Sequence, residues 1–206
     1  MIFSRSLLLI LVLFPLFLHA GQIQNIDDMF STCLNRDWEN IKCNFQNDDT
    51  YIPSLASEYI GNPIFKLPRI IIQTFENIRK LNGPNATCSN SSESKMNLLS
   101  ITTLLQHAVK TRKLSSCKAA CMATCVSATL VKYDLSNSKM QTPCRILEDQ
   151  KGGCAEFATF AVYFAREFGL KADIAYTASP AHNFAQVQIE NGRYYMEPQD
   201  SSCTFY

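Results

Sequence analysis

Cys154, His182 and Glu197 stand in an order and spacing that a thiol-dependent acyl transfer can use. That chemistry needs a nucleophile, a base that takes its proton, and a third group that orients the base. All three fall within the run KGGCAEFATFAVYFAREFGLKADIAYTASPAHNFAQVQIENGRYYMEP. The thiol opens a predicted helix, the imidazole opens one predicted strand, and the carboxylate closes the next. Asp200, shortly after Glu197, is a second acid for the orienting role.

The elements that must position these groups can be read along the chain. Gly152-Gly153 allows a tight turn into a helix, and Phe157, Phe160, Ala161, Phe164 and Phe168 recur at the spacing of one buried helical face. Arg166 suits the last turn and Gly169 the stop. Cys154 therefore sits at the N-terminal end of the helix. There the dipole and the unpaired backbone N–H groups favour a thiolate and can hold a developing oxyanion. A buried core cysteine or a disulfide partner is the competing reading of the same residue.

Lys171 to Ala178 reads as a strand that enters a turn at Ser179-Pro180. The next strand alternates, with Asn183, Ala185, Val187 and Ile189 facing one way and His182, Phe184, Gln186 and Gln188 the other. Asn191-Gly192 is a hairpin signal, and Tyr194 to Glu197 returns antiparallel until Pro198 stops it. The hairpin carries Glu197 back toward His182. A lone histidine on a strand is more often a polar surface residue, but this one has a carboxylate at hairpin distance.

Gly153-Cys154 opening a helix, His182-x-Phe184-x-x-Val187 on a strand and Glu197-Pro198 closing the next resemble the transglutaminase-like core, a relative of papain-type cysteine proteases. The resemblance covers roughly Lys151 to Asp200. It implies an α+β fold with a papain/transglutaminase-like core, in which the nucleophile helix packs on an antiparallel sheet. It also implies Cys154 as nucleophile, His182 as base and Glu197 as orienting acid. Two positions depart from the family pattern, which has Asp where this chain has Glu197 and Trp where it has Phe184. Glu adds one methylene, tolerable for a residue that orients a base without moving protons itself. No side chain ahead of Cys154 offers itself as the second donor of an oxyanion hole.

Nine cysteines occur, and an N-terminal segment sends them to an oxidising compartment. Residues 1–20 carry one basic residue, Arg5, then an apolar run from Leu7 to Leu18 and Ala20 at the expected cleavage position. The run is too short for a spanning helix, so the expected product is secreted or periplasmic, with no stable membrane association after cleavage. If Cys154 is free, the other eight cysteines can pair completely. Cys33 and Cys43, ten apart in an irregular stretch around Trp38, are the expected local pair. Cys117, Cys121 and Cys125 form one stripe on a helix and make poor partners for each other, so each is expected to bridge elsewhere. A metal site is the competing reading of that stripe, disfavoured because thiol ligands seldom stay reduced outside the cell.

The rest of the chain divides into a helical N-terminal region over 21–110 and the core over 111–206, so the N-terminal half is expected to be largely helical and disulfide-bridged. Helices are expected over Arg69–Leu81 and Met96–Lys113, the latter with Leu98, Ile101, Leu104, Leu105 and Ala108 on one side, and helix continues from Leu114 to Leu130. A polar loop over 82–95 holds the sequons at Asn85 and Asn90, acceptors in a eukaryotic host. Only Arg5 of 19 basic residues lies in the leader, against 18 acidic ones, so the mature charge is near zero. No basic stripe points to nucleic acid, and no metal, nucleotide or flavin motif implies a cofactor. A protein or peptide substrate is expected, with hydrolysis preferred to amine transfer because the chain is short. The alternative is a disulfide-stabilised binding or structural module that keeps the fold without turnover.

Overall fold

The computed structural model describes residues 30–46, 92–137, 141–178, 181–190 and 192–206. The expected leader, the expected helix Arg69–Leu81, both sequon asparagines, most of the N-terminal half and the Ser179-Pro180 turn lie outside them. Helix and strand are mixed along the described chain.

Helix α1, Ser92–Thr111, buries Leu98, Ile101, Leu105 and Ala108 against the helices that follow. Leu104, expected on that face, is 40% exposed because it lies at the rim of the stripe. The expected continuation into the next helix is broken. Lys113 takes a left-handed conformation (φ 49°), and the Ser115 hydroxyl accepts from the Lys118 N–H at 3.4 Å. That cap starts α2, Ser116–Leu130, in a stretch with no glycine or proline to advertise the break.

Helix α2 is buried nearly all round, with small residues Ala119, Ala120, Ala123 and Ser127 allowing close approach of its neighbours. Its three cysteines reach three separate segments. Cys125 bonds Cys33, Cys117 bonds Cys43 and Cys121 bonds Cys203, with Cα separations of 5.9, 6.4 and 5.0 Å. The stripe thus behaves as expected, whereas the local Cys33–Cys43 pair does not form. Ten residues of separation in sequence did not make those two neighbours, because each lies against a different turn of α2. Cys144 is also disulfide-bonded. Trp38 is fully buried and donates its indole N–H to the Cys33 carbonyl at 2.8 Å, plugging the same layer.

After α2 the chain makes a short crossover. Strand β2, Lys132–Tyr133, pairs in parallel with β3, Lys151–Gly152, and α3, Pro143–Asp149, lies between them (β1, Asn44–Phe45, precedes α1). Thr142 caps α3, Pro143 opens it, and Gln150 ends it in a left-handed conformation. Strand β3 then feeds α4, Cys154–Glu167. Phe157, Phe160, Ala161 and Phe164 are buried as the spacing predicted, and Gly169 (φ 86°) follows the stop. Helix α4 packs on α2, where the Ser127 hydroxyl donates to the Phe157 carbonyl at 2.9 Å, and also on the sheet.

That sheet is antiparallel, in the order β4 (Ala172–Ala178), β5 (Ala181–Ile189), β6 (Gly192–Met196). Ala185, Val187 and Ile189 join the core under α4, while Phe184 packs with Ala175 and Tyr195 on the opposite face. Register pairs Ala185 with Met196 and Val187 with Tyr194, which sets Glu197 one step beyond the last paired residue. The chain end covers the outer edge of β6, where Tyr206 exchanges two backbone hydrogen bonds with Tyr195. Just before it, β7, Thr204–Phe205, pairs in parallel with β1.

Candidate active site

Cys154 is the first residue of α4 and the free cysteine among the described residues. Its position depends on the turn before it. The Glu156 carboxylate, fully buried, accepts from the Gly153 N–H at 2.9 Å and from the Gln141 N–H at 3.3 Å, which locks the first turn of the helix. A Cβ on Gly152 would come within 2.3 Å of the Glu156 Cβ, so glycine is required there for this close approach. The Glu156 N–H donates to the Gly153 carbonyl at 3.1 Å, and the N–H groups of Cys154 and Ala155 precede the i→i−4 ladder of α4.

His182 and Glu197 are buried together, with Nε2 and Oε2 2.7 Å apart. Alternation along β5 and β6 puts both on the face that carries Phe184, whose ring centroid is 5.7 Å from that of His182. Phe184, standing where the family pattern has Trp, packs against the imidazole and edge-on against Tyr195. The second acid is engaged elsewhere. Asp200 accepts from the Ser202 N–H at 2.8 Å and from the Ser202 hydroxyl, so the carboxylate brought to the histidine is Glu197.

The sulfur has two partners on β5. His182 hydrogen-bonds to it, leaving its Nε2 to Glu197, and the Asn183 carboxamide donates to Sγ at 3.4 Å. These contacts set the protonation states. Burial pushes the Cys154 thiol up, but the hydrogen bond and charge of His182, with the Asn183 donors, outweigh it and leave the thiol below its ordinary value. Burial opposes charge on His182 as well, yet the neighbouring Glu197 carboxylate and the Cys154 sulfur raise it to about 10. On Glu197 burial dominates and raises the carboxyl, countered by His182 and the Gln199 backbone N–H. The resulting preference is a thiolate beside an imidazolium, the starting state for nucleophilic attack and for protonation of a leaving amine.

Sequence patterns alone assign no role at the site to two residues of this arrangement. Glu156 follows Gly153 at the spacing of a capping box, a signal present in the chain. Strand alternation puts Asn183 on one face and carries no sign of its contact with the thiol. Among the described residues, metal ligation has one candidate set: the sulfurs of Cys43, Cys117, Cys121 and Cys203 lie within 4.8 Å of one another. Four thiolates so placed would suit a tetrahedral ion, but these sulfurs are consumed in two disulfides.

Residues 102–197 match the family model of the transglutaminase-like superfamily. The matched stretch runs from within α1 through α4 and ends at Glu197. That stretch is therefore similar to a transglutaminase-like domain, and members of that superfamily are generally cysteine-dependent enzymes. No curated protein and no solved structure matches the chain.

Proposed function

We propose that this protein is an exported thiol-dependent enzyme that acts on amide bonds through a thioester on Cys154. In this reading the Cys154 thiolate attacks a carboxamide or peptide carbonyl, and the His182 imidazolium protonates the departing nitrogen. Glu197 holds the imidazole in place and stabilises its charge. Water then releases the acyl group as an acid, and a primary amine in its place gives transfer. Hydrolysis is the preferred fate of the acyl group in this reading. Export is supported by the apolar leader and the disulfides, and no helix among the described residues is long and apolar enough to cross a membrane.

The observation that carries the reading is the convergence on one free sulfur. The described cysteines that bridge face other cysteines, whereas Cys154 faces an imidazole backed by a buried carboxylate. Incubating the protein with glutamine-containing peptides, with and without a labelled primary amine, tests it. The expected result is an acyl adduct on Cys154 by mass spectrometry, ammonia or peptide release without amine, and partial diversion with amine. Full incorporation without hydrolysis would make the enzyme a transferase. No adduct and no release across varied peptides would leave the non-catalytic module as the better reading.

A further inference from the structure

His182 and Asn183 are consecutive on β5, so the strand sends them to opposite faces. His182 shares its face with Phe184 and Glu197, and Asn183 shares the helix-facing side with Ala185, Val187 and Ile189. Both nevertheless meet Cys154, because the thiol stands at the end of α4 where the strand begins. Asn183 is only 6% exposed. A carboxamide at the head of an otherwise apolar stripe breaks the packing pattern, and burying it costs stability unless its polar atoms are used.

We propose that the Asn183 side chain is the second donor of the oxyanion hole, acting with the backbone N–H of Cys154 at the first turn of α4. The proposal rests on Cys154 being the nucleophile. When the thiolate attacks, a C–S bond forms and the carbonyl π pair moves onto oxygen. On collapse that pair re-forms C=O, the C–N bond breaks, and nitrogen takes the proton of His182. The oxygen is two bonds from Sγ throughout. A donor already 3.4 Å from the sulfur needs little movement to meet it at the separation of about 2.7–3.1 Å that such a donor requires. In the resting site the same N–H group helps hold the thiolate, since the amide donates to whichever of the two atoms bears the charge. This fills the place for which no side chain ahead of Cys154 was available.

Asn183→Ala and Asn183→Asp remove the donor, and Asn183→Gln retains one on a longer arm. The measurements are kcat and KM on a peptide amide that the wild type cleaves, and the pH profile of Cys154 alkylation by iodoacetamide, which needs no substrate. Loss of an oxyanion donor predicts a fall of about 10²–10³-fold in kcat for the Ala and Asp variants with KM little changed. Partial rescue is expected in Asn183→Gln, and the midpoint of alkylation should shift upward in Asn183→Ala. A merely structural asparagine would lower the melting temperature and leave kcat of the folded fraction as it was. A kcat within about twofold of wild type in the folded Ala or Asp variant overturns the proposal while leaving Cys154 as nucleophile. A wild-type Cys154 that resists alkylation at neutral pH overturns the nucleophile reading, and this proposal with it. If Ala and Asp fail to fold, the near-isosteric Asn183→Leu, which has no donor, decides: an unchanged kcat together with an unchanged alkylation midpoint overturns the assignment.

Discussion

Helices α2 and α4 lie side by side and each presents a cysteine at its N-terminal turn, yet the two thiols have different fates. Cys117 is the second residue of α2, capped by Ser115, and is bonded to Cys43. Cys154 is the first residue of α4, capped through Glu156, and stays reduced beside His182 and Asn183. The dipole and the open N–H groups are common to both ends, so they do not decide the outcome. What faces the sulfur does. A second thiol turns a helix start into a staple, and in the function we propose an imidazole backed by a carboxylate turns it into a nucleophile.

The largest effects should separate the two helices completely. Cys154→Ala and His182→Ala should each lower turnover about ten-thousand-fold or more while leaving the fold intact. Cys121→Ser, which opens the bridge to Cys203, should lose about 2–4 kcal/mol of stability, read as a drop in melting temperature, with the chemistry of the folded fraction preserved. An inactive but fully stable Cys121→Ser variant, or an unfolded Cys154→Ala, would break the division of labour between α2 and α4.

A smaller effect sharpens the assignment within the site. Glu197→Gln keeps the shape of the side chain but removes the charge that holds His182 protonated. Turnover should fall by roughly 10²-fold less than in Cys154→Ala, following the relative weight of an orienting acid and a nucleophile. The alkaline limb of the pH–rate profile should also move down from about 10, because the raised value of His182 depends on Glu197. Asp200→Asn should change little, since Asp200 is engaged with Ser202. Reversal of those two effects would transfer the orienting role to Asp200.

The same contrast shows what was legible in the chain. Periodicity exposed α4 and the alternation of β5, and both survive because burial on those faces is what periodicity measures. The order Cys154, His182, Glu197 was legible for a related reason: each lies at an element end, where a hairpin or a helix start fixes neighbours locally. Long-range pairing was not. Cys33 looks like a partner for Cys43 in sequence, but the bridges are set by which turn of α2 each meets, a tertiary fact with no local signature. Helix α3 and the parallel pairing of β2 with β3 left only a Thr142-Pro143 cap as a trace. The break between α1 and α2 rests on one serine and a left-handed lysine, both unremarkable as residue types there.

The claim that most needs testing is that Cys154 is a thiolate because of what faces it. The direct measurement is the rate of Cys154 alkylation by iodoacetamide against pH, in wild type and in His182→Ala. Burial alone would push the thiol above its ordinary value, and the imidazolium and Asn183 pull it below. The wild type should therefore alkylate rapidly below the ordinary thiol range, with a second inflection at about 10 as His182 loses its proton. Removing the imidazole should move the main inflection up into or beyond the ordinary range and abolish the second. A wild-type thiol that titrates at or above the ordinary value, or one whose profile is unchanged in His182→Ala, would contradict the account.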